Sequence, residues 1–271
     1  MAKKIWFVTG ASRGFGRIWT EAALKRGDHV VATARKLDDV AELSATYGDA
    51  VLPLALDVND RDAVFAAMKQ GHEHFGRIDV VINNAGYGQF GAIEEVGEKE
   101  ARAQFETNVF GAIWVLQAAL PFMREQKSGH LLTVTSIGGL ASLPTVGVYN
   151  ASKFAMEGIN DALVQEVKDF GIKVTMIEPS GYATDWAGPS AHRADSIAAY
   201  DGVRDDFVAS LSGMKRGDPN ATADAILKVV DADEPPLRFM LGSFGLGMVK
   251  KSYEQRIAEW EAWYPVSAAA E

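Results

Sequence analysis

The chain has 271 residues, of which 48% are hydrophobic, and its formal net charge is -9 at pH 7. A chain of this length and composition can bury one large core, so we expect a single domain over residues 1–271. The acidic balance argues against nucleic acid and against an anionic membrane surface as partners. The chain has no cysteine, which excludes a disulfide framework and a thiolate zinc site.

Two further observations predict a cytoplasmic protein. The first apolar run, Ile5–Val8, is far too short for the apolar region of a signal peptide. No later segment combines the length and the apolar composition that a bilayer-spanning helix requires. We therefore expect no membrane partner.

Residues 5–9 form a short apolar run, which predicts a strand buried on both faces of a parallel sheet. A glycine-rich turn from Gly10 to Gly16 follows, and a helical pattern then continues to Gly27. Strand, glycine turn and helix in this order direct free backbone N–H groups at a phosphate. The spacing is G-x-x-x-G-x-G, which differs from the common G-x-G-x-x-G fingerprint. Such a turn also occurs without a ligand.

The end of the second predicted strand favours NADP(H) over NAD(H). In dinucleotide-binding folds an acidic residue at this point binds the ribose 2′-hydroxyl, whereas arginine accommodates a 2′-phosphate. Here Arg35 follows the strand and Arg13 lies in the glycine turn, so two guanidiniums could converge on one phosphate. Asp38 and Asp39 are predicted in the first turn of the next helix. Alternatively, the basic residues only solvate that helix start.

Further strands are predicted at residues 51–58, 78–82, 130–136 and 172–178, with helical patterns between them. This alternation predicts an α/β fold with a doubly wound parallel sheet of the Rossmann type, flanked by helices on both faces. The carboxyl ends of the strands would then line a nucleotide crevice.

The run His72-Glu73-His74 lies near the end of a predicted helix. Neighbouring positions i and i+2 do not share a helix face, and the sequence offers no evident third ligand. We interpret the run as a solvated helix end and predict no metal site.

Tyr149 and Lys153 are four residues apart, so a helix would place them on one face. An ammonium group beside a phenol favours the phenolate, which predicts a lowered Tyr149 pKa and a general acid/base role. Ser136 follows the fifth predicted strand, at the edge of the sheet where this fold places its chemistry. A Tyr–Lys pair at this spacing also occurs by chance on solvated helices, so the assignment depends on the other motifs.

Taken together, these motifs resemble those of the short-chain dehydrogenase/reductase (SDR) family, from about Lys4 to Thr184. The family's usual glycine after the proline is displaced by Ser180. The matching residues, in the family's order and at its usual spacings, are Thr9-Gly10-x-x-x-Gly14-x-Gly16, Asn83-Asn84-Ala85-Gly86, Asn108, Ser136, Tyr149-x-x-x-Lys153 and Pro179-Ser180-Gly181 with Thr184.

The resemblance implies reversible ketone/alcohol chemistry with four catalytic residues. Ser136 and Tyr149 would donate hydrogen bonds to the substrate carbonyl oxygen, and Tyr149 would transfer the proton. Lys153 would lower the Tyr149 pKa and contact the nicotinamide ribose. Asn108 would hold a water that links Lys153 to solvent.

The resemblance also implies a nicotinamide cofactor, with Asp57 near the adenine and Asn83 and Gly86 along the cofactor. It further implies a homodimer or homotetramer that pairs through the helix carrying Tyr149. The residues expected to bind the cofactor are Gly10, Ser12, Arg13, Gly14, Phe15, Gly16, Arg35, Asp57, Val58, Asn84, Ala85, Gly86, Tyr149, Lys153, Pro179, Gly181 and Thr184.

Substrate choice is expected in a covering segment at about residues 185–217, and a helical tail is predicted at about 244–263. The apolar residues of the segment would suit a bulky lipophilic carbonyl, and its basic residues a carboxylate or a carrier phosphate. A simple amphipathic cover is a third interpretation. The apolar residues are Trp186, Tyr200, Val203, Phe207, Leu211 and Met214, and the basic ones are His192, Arg193, Arg204, Lys215 and Arg216.

Three functions of different classes follow. The leading one is an NADP(H)-dependent oxidoreductase acting on a small-molecule carbonyl or alcohol. The second is a non-catalytic NADP(H)-sensing protein, which would be expected to lack members of the catalytic set. The third is a sugar-nucleotide epimerase or dehydratase, against which the glycine spacing and the lack of a sizeable carboxy-terminal substrate domain argue.

Overall fold

The computed structural model describes residues 3–184, 186, 188, 190–213 and 215–270. Its main sheet has seven strands in the order β3-β2-β1-β4-β6-β7-β9, and a separate two-stranded sheet pairs β5 with β8. The strands are β1 (Ile5–Val8), β2 (His29–Ala34), β3 (Val51–Ala55), β4 (Val80–Asn83), β5 (Gln89–Phe90), β6 (Gly129–Val134), β7 (Ile172–Pro179), β8 (His192–Arg193) and β9 (Arg238–Leu241).

Helices connect the strands of the main sheet. A π-helical segment, Glu106–Gly111, joins α4 to α5. The helices are α1 (Gly14–Arg26), α2 (Asp38–Tyr47), α3 (Arg61–Phe75), α4 (Glu98–Phe105), α5 (Ala112–Gln126), α6 (Gly147–Val167), α7 (Asp201–Ser210), α8 (Thr222–Asp231) and α9 (Gly245–Ala268).

All pairings within the seven-stranded sheet are parallel. Each face of the sheet carries its own apolar core, because alternate residues of a strand point to opposite faces. On β1, Phe7 packs into the layer that includes Met68 of α3, and Trp6 packs into the layer that includes Trp19 of α1. The structure confirms the predicted doubly wound α/β sheet with helices on both faces.

The direction of strand order changes between β1 and β4, which pair with each other but are followed by helices on different faces. In open parallel sheets a crevice forms at this point, outside the carboxyl ends of the strands. Thr9, Asn84, Ser136 and Ser180 follow the ends of four neighbouring strands. The fold therefore brings the predicted motifs to one edge of the sheet.

The predicted covering segment contains β8 and α7, and the predicted tail is the helix α9. The first turns of α9 pack on the molecule through buried Val249, whereas Trp260 and Trp263 are each 66% exposed. Within the described residues, no helix has the length and hydropathy needed to cross a membrane. The predicted homodimer or homotetramer stays a prediction.

Candidate active site

The glycine turn gives α1 an open amino terminus. Gly10 and Gly14 adopt φ angles of 67° and 56°, which favour glycine over residues with a side chain. Arg13 precedes the helix without a side-chain cap, and the first turn contains no acidic residue. The first N–H groups of α1 and its positive end therefore suit an anion.

Gly16 has a different task from the other glycines of the turn. It is buried, and it is absent from the lining of the cleft. A methyl group added there would overlap the carbonyl oxygen of Gly10 and lie 2.6 Å from Nδ2 of Asn84. Gly16 thus lets α1 approach the turn closely, and the structure gives it a packing role.

Asn84 holds the turn in place from the neighbouring strand. Its Nδ2 donates to the carbonyl oxygens of Thr9 at 2.9 Å and Gly10 at 3.1 Å. The backbone N–H groups of Asn84 and Ala85 donate to Oγ1 of Thr9 at 2.9 and 3.0 Å. Thr9, which belongs to the sequence motif but not to the residues expected to bind the cofactor, therefore joins the two strands that frame the crevice. Its place directly after a buried strand was the available signal.

Two other asparagines are held inside the protein. Asn83 donates from Nδ2 to the carbonyl oxygen of Ala112 at 2.8 Å, so its side chain faces α5. Asn108 lies in the π-helical segment, where its Oδ1 accepts from Tyr87 N and its Nδ2 donates to Tyr87 O at 3.0 Å and Ser152 Oγ at 3.1 Å. Neither residue lines the cleft. The side chain of Asn108 positions the segment after β4 against α6.

Ser136, Tyr149 and Lys153 meet in the cleft. Ser136 follows β6, and its hydroxyl forms a hydrogen bond with that of Tyr149 and accepts one from Gly138 N at 3.0 Å. Lys153 lies one helical turn after Tyr149, with its Nζ 5.7 Å from the centroid of the Tyr149 ring. The same Nζ donates to the carbonyl oxygen of Val134 at 2.8 Å. The hydroxyl groups of Ser136 and Tyr149 and the ammonium group of Lys153 therefore lie close together in the cleft.

Burial dominates the proton affinities of this group. It raises the pKa of Tyr149 to about 12, although the hydrogen bond with Ser136 acts in the opposite direction. Burial also lowers the pKa of Lys153 to about 8, which the charge of Glu157 partly offsets. The predicted net lowering of the Tyr149 pKa is wrong, because burial of the side chain is the largest influence on it. Removing a phenolate from water costs more free energy than the hydrogen bond with Ser136 returns.

The cleft has a volume of about 1630 Å³ and runs from the glycine turn to the covering segment. It brings together most of the predicted site, with Gly16, Asn83 and Asn108 outside its lining. The predicted residues that line it are Gly10, Ser12, Arg13, Gly14, Phe15, Arg35, Asp57, Val58, Asn84, Ala85, Gly86, Ser136, Tyr149, Lys153, Pro179, Gly181 and Thr184.

Next to the glycine turn, a second cavity of about 740 Å³ has a mixed charge. Arg13, Arg35 and Lys36 line it together with three carboxylates from α2. Asp38 and Asp39 lie in the first turn of α2, as predicted. The third carboxylate, that of Glu42, forms an ion pair with Arg17 at 2.8 Å. Arg13 and Arg35, which are both exposed, also line the main cleft, so they lie where the two cavities adjoin.

Ser180 is accommodated by the edge of the sheet. Pro179 pairs with Leu241 of β9, and Ser180 N donates to the carbonyl oxygen of the same residue at 3.0 Å. The strand-like path thus continues through Ser180 before the chain turns into the cleft. Gly181 and Thr184 both line the cleft beyond this point.

An aromatic wall faces Tyr149 on the substrate side. The ring of Trp186 lies 4.9 Å from that of Tyr149 and 5.1 Å from that of Phe90, measured between centroids. A methyl group at Gly88 would lie 2.7 Å from the Trp186 ring, so a side chain there would displace the ring. Of the predicted segment, Asp185 and Met214 lie outside the described residues.

Arg204, one of the predicted basic residues, is held by carboxylates. Its guanidinium pairs with Glu95 and Asp201, and Glu95 also accepts from Ile197 N at 2.7 Å. Tyr200 donates to Glu94 Oε2 at 2.6 Å. These contacts fasten the covering segment to the loop after β5. Among the described residues, no group of three or more His, Cys, Asp or Glu side chains is arranged to hold a metal ion.

Comparison with known proteins gives extensive matches. A model of the short chain dehydrogenase family matches residues 4–195. Oxidoreductase BOA17 of Botryotinia fuckeliana is 44% identical over 98% of this chain and 99% of its own length. The 3-ketodihydrosphingosine reductase of Bacteroides thetaiotaomicron is 35% identical over 89% of each chain.

Solved structures share the fold over most of the chain. A short-chain dehydrogenase from Streptomyces avermitilis is 36% identical, with a TM-score of 0.91 over 100% of this chain and 99% of its own. An alcohol dehydrogenase from Thermococcus sibiricus, solved with 5-hydroxy-NADP, is 26% identical, with a TM-score of 0.73 over 90% and 98%. A Burkholderia phymatum protein solved with NAD is 22% identical, with a TM-score of 0.82 over 95% of each chain.

The packing role of Gly16 predicts a local and a distant effect of substitution. Gly16→Ala should lower the free energy of unfolding by about 1–3 kcal/mol, since the added methyl group overpacks a buried contact. It should also weaken binding of the expected nicotinamide cofactor, for which NADPH is the probe, because the turn that faces the cleft must shift. Urea unfolding and a fluorescence titration with NADPH measure the two effects.

The matched control is Gly158→Ala on α6, where a methyl group would have no neighbour within 4 Å. This variant should gain about 0.5–1 kcal/mol from helix propensity and bind NADPH normally. Equal stability and affinity in the Gly16 and Gly158 variants would contradict the packing role.

Proposed function

The chain belongs to the short-chain dehydrogenase/reductase family of oxidoreductases, and we propose that it interconverts a ketone or aldehyde and an alcohol with NADP(H). The observation that carries the proposal is the meeting of Ser136, Tyr149 and Lys153 in the cleft that the open amino terminus of α1 also faces. The three side chains suit a carbonyl oxygen, and the amino terminus of α1 suits a pyrophosphate.

The residues of the cleft fit a dinucleotide. The uncapped start of α1 and the space around Gly14, where a methyl group would have no neighbour within 4 Å, leave room for phosphate against backbone N–H groups. Asp57 and Val58 lie along the same wall, and Pro179, Gly181 and Thr184 at the far end. Bound nicotinamide supplies or accepts the hydride of the reaction.

The protein's own groups control the proton and the oxygen charge. The hydroxyls of Ser136 and Tyr149 would donate to the substrate oxygen, on which negative charge develops during reduction. With a pKa of about 12, Tyr149 holds its proton at neutral pH and is ready to give it to that oxygen. The Lys153 ammonium stabilises the phenolate left behind, because an adjacent positive charge favours the ionised form.

The preference for NADP(H) rests on the charges at the mouth of the cleft. Arg13 and Arg35 are exposed and line both cavities, and no acidic residue occupies the end of β2. A 2′-phosphate there would be held by guanidinium groups, which bind phosphate with directed hydrogen bonds. Asp38 and Asp39 also line the smaller cavity, and their negative charges would repel a phosphate placed next to them.

The substrate we propose is a bulky lipophilic ketone. Trp186 and Phe90 form an apolar wall beside Tyr149, and Val203, Phe207 and Leu211 of the covering segment line the same cleft. Arg204 is neutralised by two carboxylates, which weakens the case for a carboxylate or a carrier phosphate. The name of the 35% identical relative, a 3-ketodihydrosphingosine reductase, agrees with a lipid ketone.

Replacement of Tyr149 tests the catalytic proposal. Tyr149→Phe should lower NADPH-dependent reduction by about 100-fold or more, because it removes the proton donor and one donor to the substrate oxygen. The measurement is absorbance at 340 nm with a panel of ketones and aldehydes. Tight NADPH binding with no turnover on any substrate would favour the NADP(H)-sensing alternative.

Replacement of Arg35 tests the cofactor proposal. Arg35→Ala should lower kcat/KM for NADPH relative to NADH by roughly tenfold or more, since a charge-assisted contact to the 2′-phosphate is lost. Arg77→Ala is the control, because Arg77 is an exposed arginine paired with Asp79 at the opposite end of the sheet. Faster turnover of the parent protein with NADH would contradict the NADP(H) preference.

A further inference from the structure

A cluster of three carboxyl groups and one guanidinium lies behind the active site. Arg238 on β9 pairs through Nε with Glu157 Oε2 at 3.0 Å and through Nη2 with Asp161 Oδ2 at 2.6 Å. The same Nε lies 3.7 Å from Oε1 of Glu178 on β7. The side chains of Glu157 and Glu178 are 6% and 0% exposed, whereas Asp161 and Arg238 reach the surface. One positive charge therefore faces three acids.

The hydrogen bonding of the two buried acids is incomplete. Within the described part of the chain, Oε1 of Glu157 and both carboxyl oxygens of Glu178 lack a hydrogen-bond partner. Two adjacent buried carboxylates repel each other, so one of them retains a proton. Burial and the charge of Glu157 raise the pKa of Glu178 to about 8.

The contacts decide which acid carries the charge at neutral pH. Arg238 Nε lies 3.0 Å from Glu157 Oε2 and 3.7 Å from Glu178 Oε1, so it is closer to Glu157. Burial raises the pKa of both acids, but the contact with Arg238 acts against this effect at Glu157 and favours its ionised form over that of Glu178. Glu178, with no hydrogen-bond partner for its oxygens, holds the proton.

Glu157 is also the acid nearest to Lys153 along α6. The two residues are four positions apart, so they lie on the same face, and both are buried. Gly139 closes over this face, because a methyl group there would lie 3.1 Å from Lys153 O and 3.2 Å from Glu157 Cγ. The one hydrogen bond described for Lys153 Nζ goes to an uncharged carbonyl, that of Val134. An ammonium buried in this way needs a negative charge nearby.

We propose that Glu157 is a positioning residue whose buried carboxylate holds Lys153 in its ammonium form. Glu178 takes the shared proton, and Arg238 pairs with Glu157, so that Glu157 keeps its charge. The charged and titratable groups that face this pair are Tyr149 and Asp161 on α6, Glu178 on β7 and Arg238 on β9. The consequence for catalysis rests on the proposed function, in which the Lys153 charge stabilises the Tyr149 phenolate.

The test measures the titration of Lys153 directly. In full-length protein labelled with ¹³C at lysine Cε, the Lys153 resonance is assigned by its loss in Lys153→Met and followed by NMR against pH. In Glu157→Gln the titration midpoint should fall by about one pH unit or more, because the neutral amide no longer favours the ammonium. Glu178→Gln should lower the midpoint by less, because glutamine imitates the protonated acid that Glu178 is over most of the range below its pKa of about 8.

A second variant keeps the test decisive if Glu157→Gln fails to fold. Arg238→Gln removes the partner that keeps Glu157 ionised, so the Lys153 midpoint should fall here too. An unchanged midpoint in the folded Glu157 and Arg238 variants would overturn the proposal, as would an equal fall in Glu178→Gln.

The pH dependence of turnover separates this proposal from the proposed function. In Glu157→Gln, the loss of NADPH-dependent reduction at alkaline pH should begin at lower pH than in the parent protein. If the parent protein has no reductase activity but the Lys153 midpoint falls in Glu157→Gln, the proposed function is contradicted and the role of Glu157 is supported. If the parent protein is an active reductase but the Lys153 midpoint is the same in Glu157→Gln, the proposed function is supported and the role of Glu157 is contradicted.

Discussion

Removing Lys153 and Tyr149 from water is the constraint on which the site depends. Burial disfavours the charged form of each group, which raises the pKa of Tyr149 to about 12 and lowers that of Lys153 to about 8. The ammonium survives at neutral pH because other groups compensate for lost hydration. Val134 accepts a hydrogen bond from Lys153, and Glu157 supplies a negative charge from the same helix. The pKa values of the groups in the cleft therefore depend on residues packed beneath it.

The parallel sheet supplies the other requirement, which is convergence. Residues far apart in the chain meet because the strands all end at one edge, and the order of strands reverses between β1 and β4. Thr9 and Asn84 join these two strands by hydrogen bonds and fix the shape of the glycine turn. Asn108 fixes the next segment against α6 through Tyr87 and Ser152. These hydrogen bonds connect the segments that form the floor of the cleft.

Local patterns predicted much of this arrangement. The strand before Gly10, the helix that ends at Gly27 and the first-turn position of Asp38 follow from burial period and capping, which depend on neighbours in sequence. The spacing of Tyr149 and Lys153 predicted their shared face for the same reason. The resemblance to a family then ordered these pieces into one site.

The features that sequence reasoning missed depend on contacts between distant residues. The sign of the Tyr149 pKa change depends on burial by the loops around it. The packing role of Gly16 depends on the carbonyl of Gly10 and on Asn84, 68 residues away from Gly16. The pairing of Glu157 with Arg238 spans 81 positions, and no local sequence pattern predicts it. Such contacts become visible only when the fold has brought the elements together.

Direct transfer of label tests the central claim, that this cleft moves hydride between a nicotinamide and a carbonyl carbon. The protein would be incubated with a lipophilic ketone that it reduces and with NADPH that carries deuterium in both positions at C4 of the nicotinamide ring. Mass spectrometry of the alcohol should find one deuterium, on the carbinol carbon, and none in the product made with unlabelled NADPH. Alcohol that forms without deuterium would contradict the account.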